Sequence, residues 1–173
     1  MNLLAAFGKI KAFVFDMDGV LTDGTVLVMP DGEWVRRMHI RDGYALQLAV
    51  KKGYLVCVIS GSSSEPVRGR LAKLGVTDVF MHVGDKSACL QQFMQANNLQ
   101  AMEVLYMGDD MPDLEVSQLA GLSCCPADAC ADIREKAHYI SPFTGGMGCV
   151  RDVLEKVMQV QGNWQRDASL RSI

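Results

Sequence analysis

Phe13-Val14-Phe15-Asp16-Met17-Asp18-Gly19 joins the fold and the chemistry of this chain in seven residues. An apolar run, Ala12 to Phe15, stops abruptly at two acids separated by one residue, then at a glycine. The run predicts a short strand buried on both faces, the kind found inside a parallel sheet. If the backbone stays extended past Phe15, Asp16 and Asp18 point the same way and share one small volume. Two carboxylates held that close repel unless a cation or a proton sits between them. Such a pair at a strand end works against stability, so it marks a charged site better than it marks a turn.

The same punctuation recurs downstream. Leu55 to Ile59, Val79 to Val83 and Val104 to Met107 are apolar runs with the length and composition of buried strands. They end in Ser60-Gly61-Ser62-Ser63-Ser64, in Gly84-Asp85-Lys86 and in Gly108-Asp109-Asp110-Met111-Pro112-Asp113. Between them the spacing predicts helices over 44–52, with Ala45, Leu46, Leu48 and Ala49 facing inward, and over 65–74 and 87–97. Gly53 and Gly75 sit where the first two should stop. A helix from 113 to 120, a strand at 122–125, a helix over 129–137, a strand at 139–140 and a helix over 150–161 complete the series. Strands alternating with helices mean right-handed βαβ units, hence a central parallel sheet between two helical layers.

One segment breaks the alternation. Residues 25–29 and 33–38 are extended in character and flank Pro30-Asp31-Gly32, which predicts a β-hairpin beside the first pair of acids. It has the place of a flap, over about residues 25–38. Residues 1–162 form one domain, and the polar, aperiodic 163–173 reads as a flexible tail.

Composition limits the partners. The chain has 173 residues, 49% apolar and 21% charged, as a single globular domain requires. A net charge of -3 without a basic stripe argues against nucleic acid. No apolar run reaches the roughly 18 residues of a membrane span. Residues 1–8 lack the basic start and cleavage site of a signal peptide, so a cytoplasmic location is expected. Cys57, Cys89 and Cys149 lie in apolar segments, and Cys124, Cys125 and Cys130 make no CxxC pair, which predicts reduced thiols. His39, His82 and His138 show no ligand spacing and read as structural, and the methionines read as core.

In an open parallel sheet the carboxyl ends of the strands share one edge, where ligands bind. That edge would hold Asp16, Asp18, Ser60, Lys86, Asp109, Asp110 and Asp113. Each alone has a plain explanation: a turn serine, a solvated lysine, a first-turn aspartate. Together they are carboxylates in excess, one hydroxyl and one lysine. Hard oxygen donors in excess select Mg²⁺, which with few protein ligands engages a substrate phosphate. Ser60 and the amides of Gly61 and Ser62 would open a helix and cradle that phosphate, and Lys86 would neutralise a phosphoryl oxygen. Phosphoryl transfer through a carboxylate nucleophile follows.

In this order, Asp16-Met17-Asp18-Gly19, Ser60-Gly61, Lys86 and Gly108-Asp109-Asp110-Met111-Pro112-Asp113 resemble the haloacid-dehalogenase superfamily of phosphatases. Gly19-Val20-Leu21-Thr22-Asp23-Gly24, Arg41-Asp42-Gly43, Pro126-Ala127-Asp128-Ala129, Gly145 to Asp152 and the ending from Gln161 resemble its capless branch, which contains the 3-deoxy-D-manno-octulosonate 8-phosphate (KDO 8-phosphate) phosphatases. The resemblance implies a three-layer, Rossmann-like fold with a hairpin flap and no large cap domain. It implies Asp16 as nucleophile and Asp18 as acid and base. Mg²⁺ would be held by Asp16, the Asp18 carbonyl and Asp109, with Asp110 and Asp113 behind them. Ser60 and Lys86 would bind the phosphoryl group; Gly61, Ser62, Arg70, Lys73 and Asp42 would contact the sugar phosphate. It further implies a homotetramer in which flap and tail reach neighbouring sites, with Arg166 and Arg171 of the tail suited to an anion.

The chain departs from that pattern at two positions. A sibling family acting on nine-carbon sugar acid 9-phosphates has a Glu paired with a downstream Lys, where this chain has Ser62 and Lys73. The octulosonate enzymes often carry Arg where Ser62 stands. The tail and the C-terminal motif favour the eight-carbon substrate, with a nine-carbon substrate as the alternative. A non-catalytic oligomerisation module of the same fold would lack the nucleophile. A phospho-receiver domain would carry its acidic pair and its phosphorylated Asp on different strands.

Overall fold

The structure, a computed structural model, describes residues 1–165 and 167–170. In chain order the elements are α1 (Leu3–Phe7), β1 (Ala12–Phe15), the hairpin strands β2 (Leu27–Val28) and β3 (Trp34–Val35), α2 (Ile40–Lys51), β4 (Leu55–Ile59), α3 (Glu65–Lys73), β5 (Asp78–Phe80) and α4 (Lys86–Ala96). There follow β6 (Val104–Met107), α5 (Leu114–Ser117), β7 (Leu122–Cys125), α6 (Ala131–Lys136), β8 (Tyr139–Ile140) and α7 (Cys149–Val160).

Six strands form one parallel sheet in the order β5-β4-β1-β6-β7-β8. β1 pairs on both sides, with Phe15 level with Val58 of β4 and Met107 of β6, and all four of its residues are buried. Alternation then divides the core. Phe13 and Phe15 pack with Leu46, Leu48, Val153 and Leu154 of α2 and α7, whereas Ala12 and Val14 pack with Leu90, Phe93 and Val116 of α4 and α5. The result is the expected three-layer α/β/α sandwich around a parallel sheet, with a small hairpin and no large cap. From β1 the chain builds outward to β4 and β5, then crosses to β6 on the other side. The strand order therefore reverses at β1, so Asp16 stands at the crevice where such sheets bind ligands. Among the described residues no helix is long and apolar enough to cross a membrane.

Several boundaries differ from the sequence expectation for reasons of tertiary contact. α2 starts at Ile40, not at 44, so Arg41-Asp42-Gly43 is its first turn. Asp42 is 2% exposed and accepts the Arg151 amide at the start of α7 at 2.8 Å, which fixes that turn from 109 residues away. β5 ends at Phe80 because His82 adopts φ 57 and turns its amide to the Ser62 carbonyl. α1 lies in an apolar stretch too short to show a period, and is capped by the Asn2 side chain.

The described tail residues lie against the body of the same chain. The Trp164 ring packs edge-on to Tyr44 with centroids 6.3 Å apart, and the Arg151 guanidinium lies 5.3 Å over it. Asp167 pairs with Lys51 at 2.7 Å, and Leu170 rests on the core. Arg166 and Arg171 fall outside the described residues.

Candidate active site

β1 delivers Asp16 to the sheet edge, where its amide donates to the Met107 carbonyl at 2.9 Å. The backbone then leaves the extended path. Residues Met17–Leu21 form a wide helical turn around Gly19, which adopts φ 87. A side chain at Gly19 would run into the Asp109 carboxylate, so glycine is required there for space as well as for conformation. Asp16 and Asp18 still line one cleft of about 290 Å³, but they face different partners across it.

Asp16 faces inward and is 7% exposed. Its Oδ1 accepts from Lys86 Nζ at 2.8 Å, and the same ammonium reaches Asp113 Oδ1 at 2.7 Å. Lys86 is the first residue of α4, behind the Asp85 cap, so its position is fixed by the helix start. Asp113 has both oxygens engaged: Tyr106 donates its hydroxyl to Oδ1 at 2.6 Å, and the Asp109 amide donates to Oδ2 at 3.2 Å. Gly108 allows this, because a Cβ there would overlap the Asp113 carboxyl.

Asp18 faces the flap. Arg36 of the hairpin grips it with Nε to Oδ1 at 2.7 Å and Nη2 to Oδ2 at 3.1 Å, and the Ser62 hydroxyl donates to Oδ2 at 2.6 Å. Ser60 is buried, and its Oγ accepts the Ser62 amide at 3.2 Å. The expected helix start at Glu65 holds, but the reading of Ser60, Gly61 and Ser62 as its N-terminus is corrected. α3 begins at Glu65 with Ser64 as its cap, so residues 60–64 are a loop between strand and helix. Ser60, Gly61 and Ser62 line the cleft from that loop.

Charge is out of balance. Burial, then repulsion by Asp113, pushes the Asp16 carboxyl up to about 7 against the pull of Lys86. Burial, then Asp16 and Asp113, pushes Asp109 up to about 7 as well. Burial works to neutralise Lys86, yet Asp16 and Asp113 outweigh it and hold its pKa above the ordinary value. Burial also works to raise Asp18, but hydrogen bonds from Arg36 and Ser62 outweigh it and hold that carboxyl low. Oxygens of Asp16, Asp109 and Asp113 lie within 4.8 Å of one another, close enough to share a metal ion. Among the described residues the Asp109 carboxylate accepts no hydrogen bond, whereas both Asp113 oxygens are engaged. A hard divalent cation therefore fits best against Asp16 and Asp109, where it would relieve the repulsion that raises both.

The remaining expected contacts lie elsewhere. Asp110 lines the mouth of the cleft. Asp42 lies outside it, with Oδ1 on the start of α7 and Oδ2 4.0 Å from His39 Nδ1, and burial raises its pKa. It lines no part of the cleft, and its bond to Arg151 links α2 to α7. Lys73 is exposed at the end of α3 and lines no part of the cleft. Arg70 lines an adjoining groove of about 290 Å³ with Arg36, Met38 and Pro66. A larger cavity, about 400 Å³, lies between the starts of α2 and α7, but its Arg151 and Lys156 are already paired with Glu155 and Asp152.

Two site residues escaped the sequence reading. Tyr106 is a phenol in an otherwise aliphatic buried strand, and a buried hydroxyl calls for a partner, so the signal was there. Arg36 carried no such signal, because only the folded hairpin, tied down by the Thr22–Met38 bridge, brings it to Asp18.

A strand-end acid, a lysine on a following helix and a second acid on the next loop, at the crevice of a parallel sheet, define a phosphatase of the haloacid-dehalogenase type. Residues 72–151 match the haloacid dehalogenase-like hydrolase family, and the chain belongs to that family. It is 30% identical over 161 residues to the 3-deoxy-D-manno-octulosonate 8-phosphate phosphatase of Escherichia coli K12, covering 93% of this chain and 86% of that one. The Yersinia pestis phosphatase of the same name is 31% identical over 160 residues, with 92% and 86% covered. Among solved structures, that of the Moraxella catarrhalis phosphatase, in complex with magnesium ion, phosphate ion and KDO, superposes with a TM-score of 0.91. That pair shares 31% identity, with 95% of each chain covered. The cobalt-bound Haemophilus influenzae phosphatase gives a TM-score of 0.87 at 30% identity, with 91% and 92% covered.

Proposed function

We propose that this chain is a Mg²⁺-dependent phosphomonoesterase that hydrolyses 3-deoxy-D-manno-octulosonate 8-phosphate through an aspartyl-phosphate on Asp16. The observation that carries the proposal is the buried Asp16–Lys86–Asp113 chain on the floor of the cleft, with Asp18 across from it. The names of the relatives point to the sugar.

Lys86 grips one oxygen of Asp16 and sets the carboxylate's orientation, and the other oxygen attacks phosphorus. The bond from phosphorus to the sugar oxygen breaks, and that oxygen takes its proton from Asp18, which the substrate has first drawn off Arg36 and which has then taken up a proton from solvent. Asp18, now a carboxylate, accepts a proton from water; the resulting hydroxide attacks the acyl phosphate, releases inorganic phosphate and restores Asp16. Ser60 and Lys86 hold phosphoryl oxygens during both steps. Mg²⁺ would be held by Asp16, the Asp18 carbonyl and Asp109, with Asp110 and Asp113 behind, and would supply positive charge against the transferring phosphoryl group. Asp113 fixes Lys86 and the Asp109 amide, so it acts on the geometry of both.

The proposed setting is a cytoplasmic homotetramer whose flaps meet neighbouring subunits. The exposed apolar residues Leu27, Val28 and Trp34 of the flap support that arrangement. The test is phosphate release by the purified chain from octulosonate 8-phosphate with Mg²⁺, beside a nine-carbon sugar acid 9-phosphate. The expected result is turnover that EDTA abolishes and that Asp16→Asn lowers by about 10⁴-fold or more. Preference for the nine-carbon ester would replace the substrate, and no release from either ester would overturn the proposal.

A further inference from the structure

Among the described residues Arg36 is placed as no other cation is. It sits on the exposed flap, yet its side chain is 2% exposed. Its fork holds the Asp18 carboxylate at 2.7 and 3.1 Å, its Nη2 also donates to Ser62 at 3.3 Å, and its Nη1 to the Trp34 carbonyl at 3.2 Å. Two parallel N–H donors on one carboxylate are the geometry with which guanidinium groups recognise carboxylates in general. Here the carboxylate is the protein's own, and on the mechanism above it is the one that must turn to the leaving oxygen. Once Asp18 engages a substrate, Arg36 loses its bidentate partner in a spot with little water. A buried guanidinium left without an anion is costly, so the site favours substrates that bring one.

The cavities show where that anion would lie. Arg36 forms a wall of the groove it shares with Arg70, Met38 and Pro66, and its bonds to Asp18 and Ser62 connect that groove to the phosphate cleft. Arg70 contributes a second guanidinium, and its buried Nη2 has no hydrogen-bond partner. The groove is thus cationic, meets the cleft at Asp18 through Arg36, and is separate from the floor formed by Asp16 and Lys86.

We propose that Arg36 determines specificity: it exchanges Asp18 for a carboxylate on the leaving-group part of the substrate, with Arg70 lining the same groove, and so selects phosphomonoesters that carry a second, acidic group. This rests on the proposed reaction and names the feature of the substrate that the flap reads.

The experiment compares kcat and KM of the full-length wild type, Arg36→Lys and Arg36→Met. The two esters are octulosonate 8-phosphate, which has a carboxylate, and arabinose 5-phosphate, which has none. In Arg36→Met the ratio of kcat/KM for the acid ester over the neutral one is expected to fall about 30-fold or more, mostly through KM, as for loss of a charge-assisted pair. Arg36→Lys keeps the charge without the fork and is expected to recover part of that ratio. Equal losses on both esters would overturn the proposal, since Arg36 would then serve the phosphate or merely hold Asp18. An unchanged ratio would overturn it too. Residual turnover of the neutral ester reports that the variants fold. A wild type that hydrolyses arabinose 5-phosphate but not octulosonate 8-phosphate would instead remove the proposed substrate, an outcome seen before any variant is made.

Discussion

Asp113 and Asp152 occupy two copies of one local design. Asp113 is 1% exposed and accepts a tyrosine hydroxyl, from Tyr106, and a lysine, Lys86. Asp152 is 7% exposed and accepts the Tyr139 hydroxyl at 2.7 Å, the Ser141 hydroxyl at 3.0 Å and the Lys156 ammonium. The difference lies in what surrounds them. Lys156 has Asp152 alone to answer, whereas Lys86 stands between Asp16 and Asp113 with Asp109 beside them. One cluster is neutral overall and ties α7 to the strand before it. The other has more carboxylates than cations and is completed only by something positive from outside. A buried Asp–Tyr–Lys group is therefore no signature of catalysis, and the uncompensated charge is.

The two lysines give the sharpest separation. Lys86→Met is expected to lower kcat by about 10³-fold or more, since it removes the cation that orients Asp16 and meets the phosphoryl group. Lys156→Met removes a partly exposed i,i+4 pair, which contributes about 0.5 kcal/mol, and should leave kcat within about threefold. Steady-state phosphate release and thermal melts of both variants decide this. A large kcat loss in Lys156→Met would erase the distinction.

Stability against pH is the next test, because only the excess of acids predicts it. Asp16 and Asp109 titrate near about 7 in the folded chain rather than at 3.8, so the folded state binds protons the unfolded state has released. Raised carboxyl pKa values mean stability that is present at low pH and lost as pH climbs from about 4 through about 7. Metal-free protein should therefore melt several degrees lower at about pH 8 than at about pH 6. Mg²⁺ should remove most of that difference, since a ligand bound only by the folded state stabilises it. A melting temperature indifferent to both pH and Mg²⁺ would mean the acids are compensated already.

Much of this was legible from residue order. β1, β4, β6 and β7 appear as apolar runs because both their faces are covered, and the acids, Ser60 and Lys86 follow directly on strand ends. What stayed hidden depends on distant chain. Asp42 is assigned by Arg151, and Trp164 by Tyr44 and Arg151. Arg36 is assigned by the angle at which a two-stranded flap folds back. Alternation along β1 suggested convergent acids, and both line one cleft, but it did not show that Asp18 would be held by the flap. Local pattern reports burial; it does not report which polar groups meet across the sheet edge.

The smallest expected effect is also the closest comparison, because the two tyrosines are chemically alike. Each gives its hydroxyl to a buried carboxylate at 2.6 or 2.7 Å, and burial first, then that carboxylate, raises the pKa of each phenol. Each Tyr→Phe change removes one donor and should cost about 1 kcal/mol of stability. Asp152 would keep Ser141 and Lys156, and nothing at the catalytic edge depends on it. Asp113 would keep Lys86 and the Asp109 amide, but with one donor fewer on Oδ1 it would draw Lys86 more strongly away from Asp16. Tyr106→Phe should thus lower kcat by about 3- to 10-fold while Tyr139→Phe leaves it unchanged, at matched losses in melting temperature. Equal kinetics in the two variants would show that Asp113 holds Lys86 by the ion pair alone and that the phenol serves only packing.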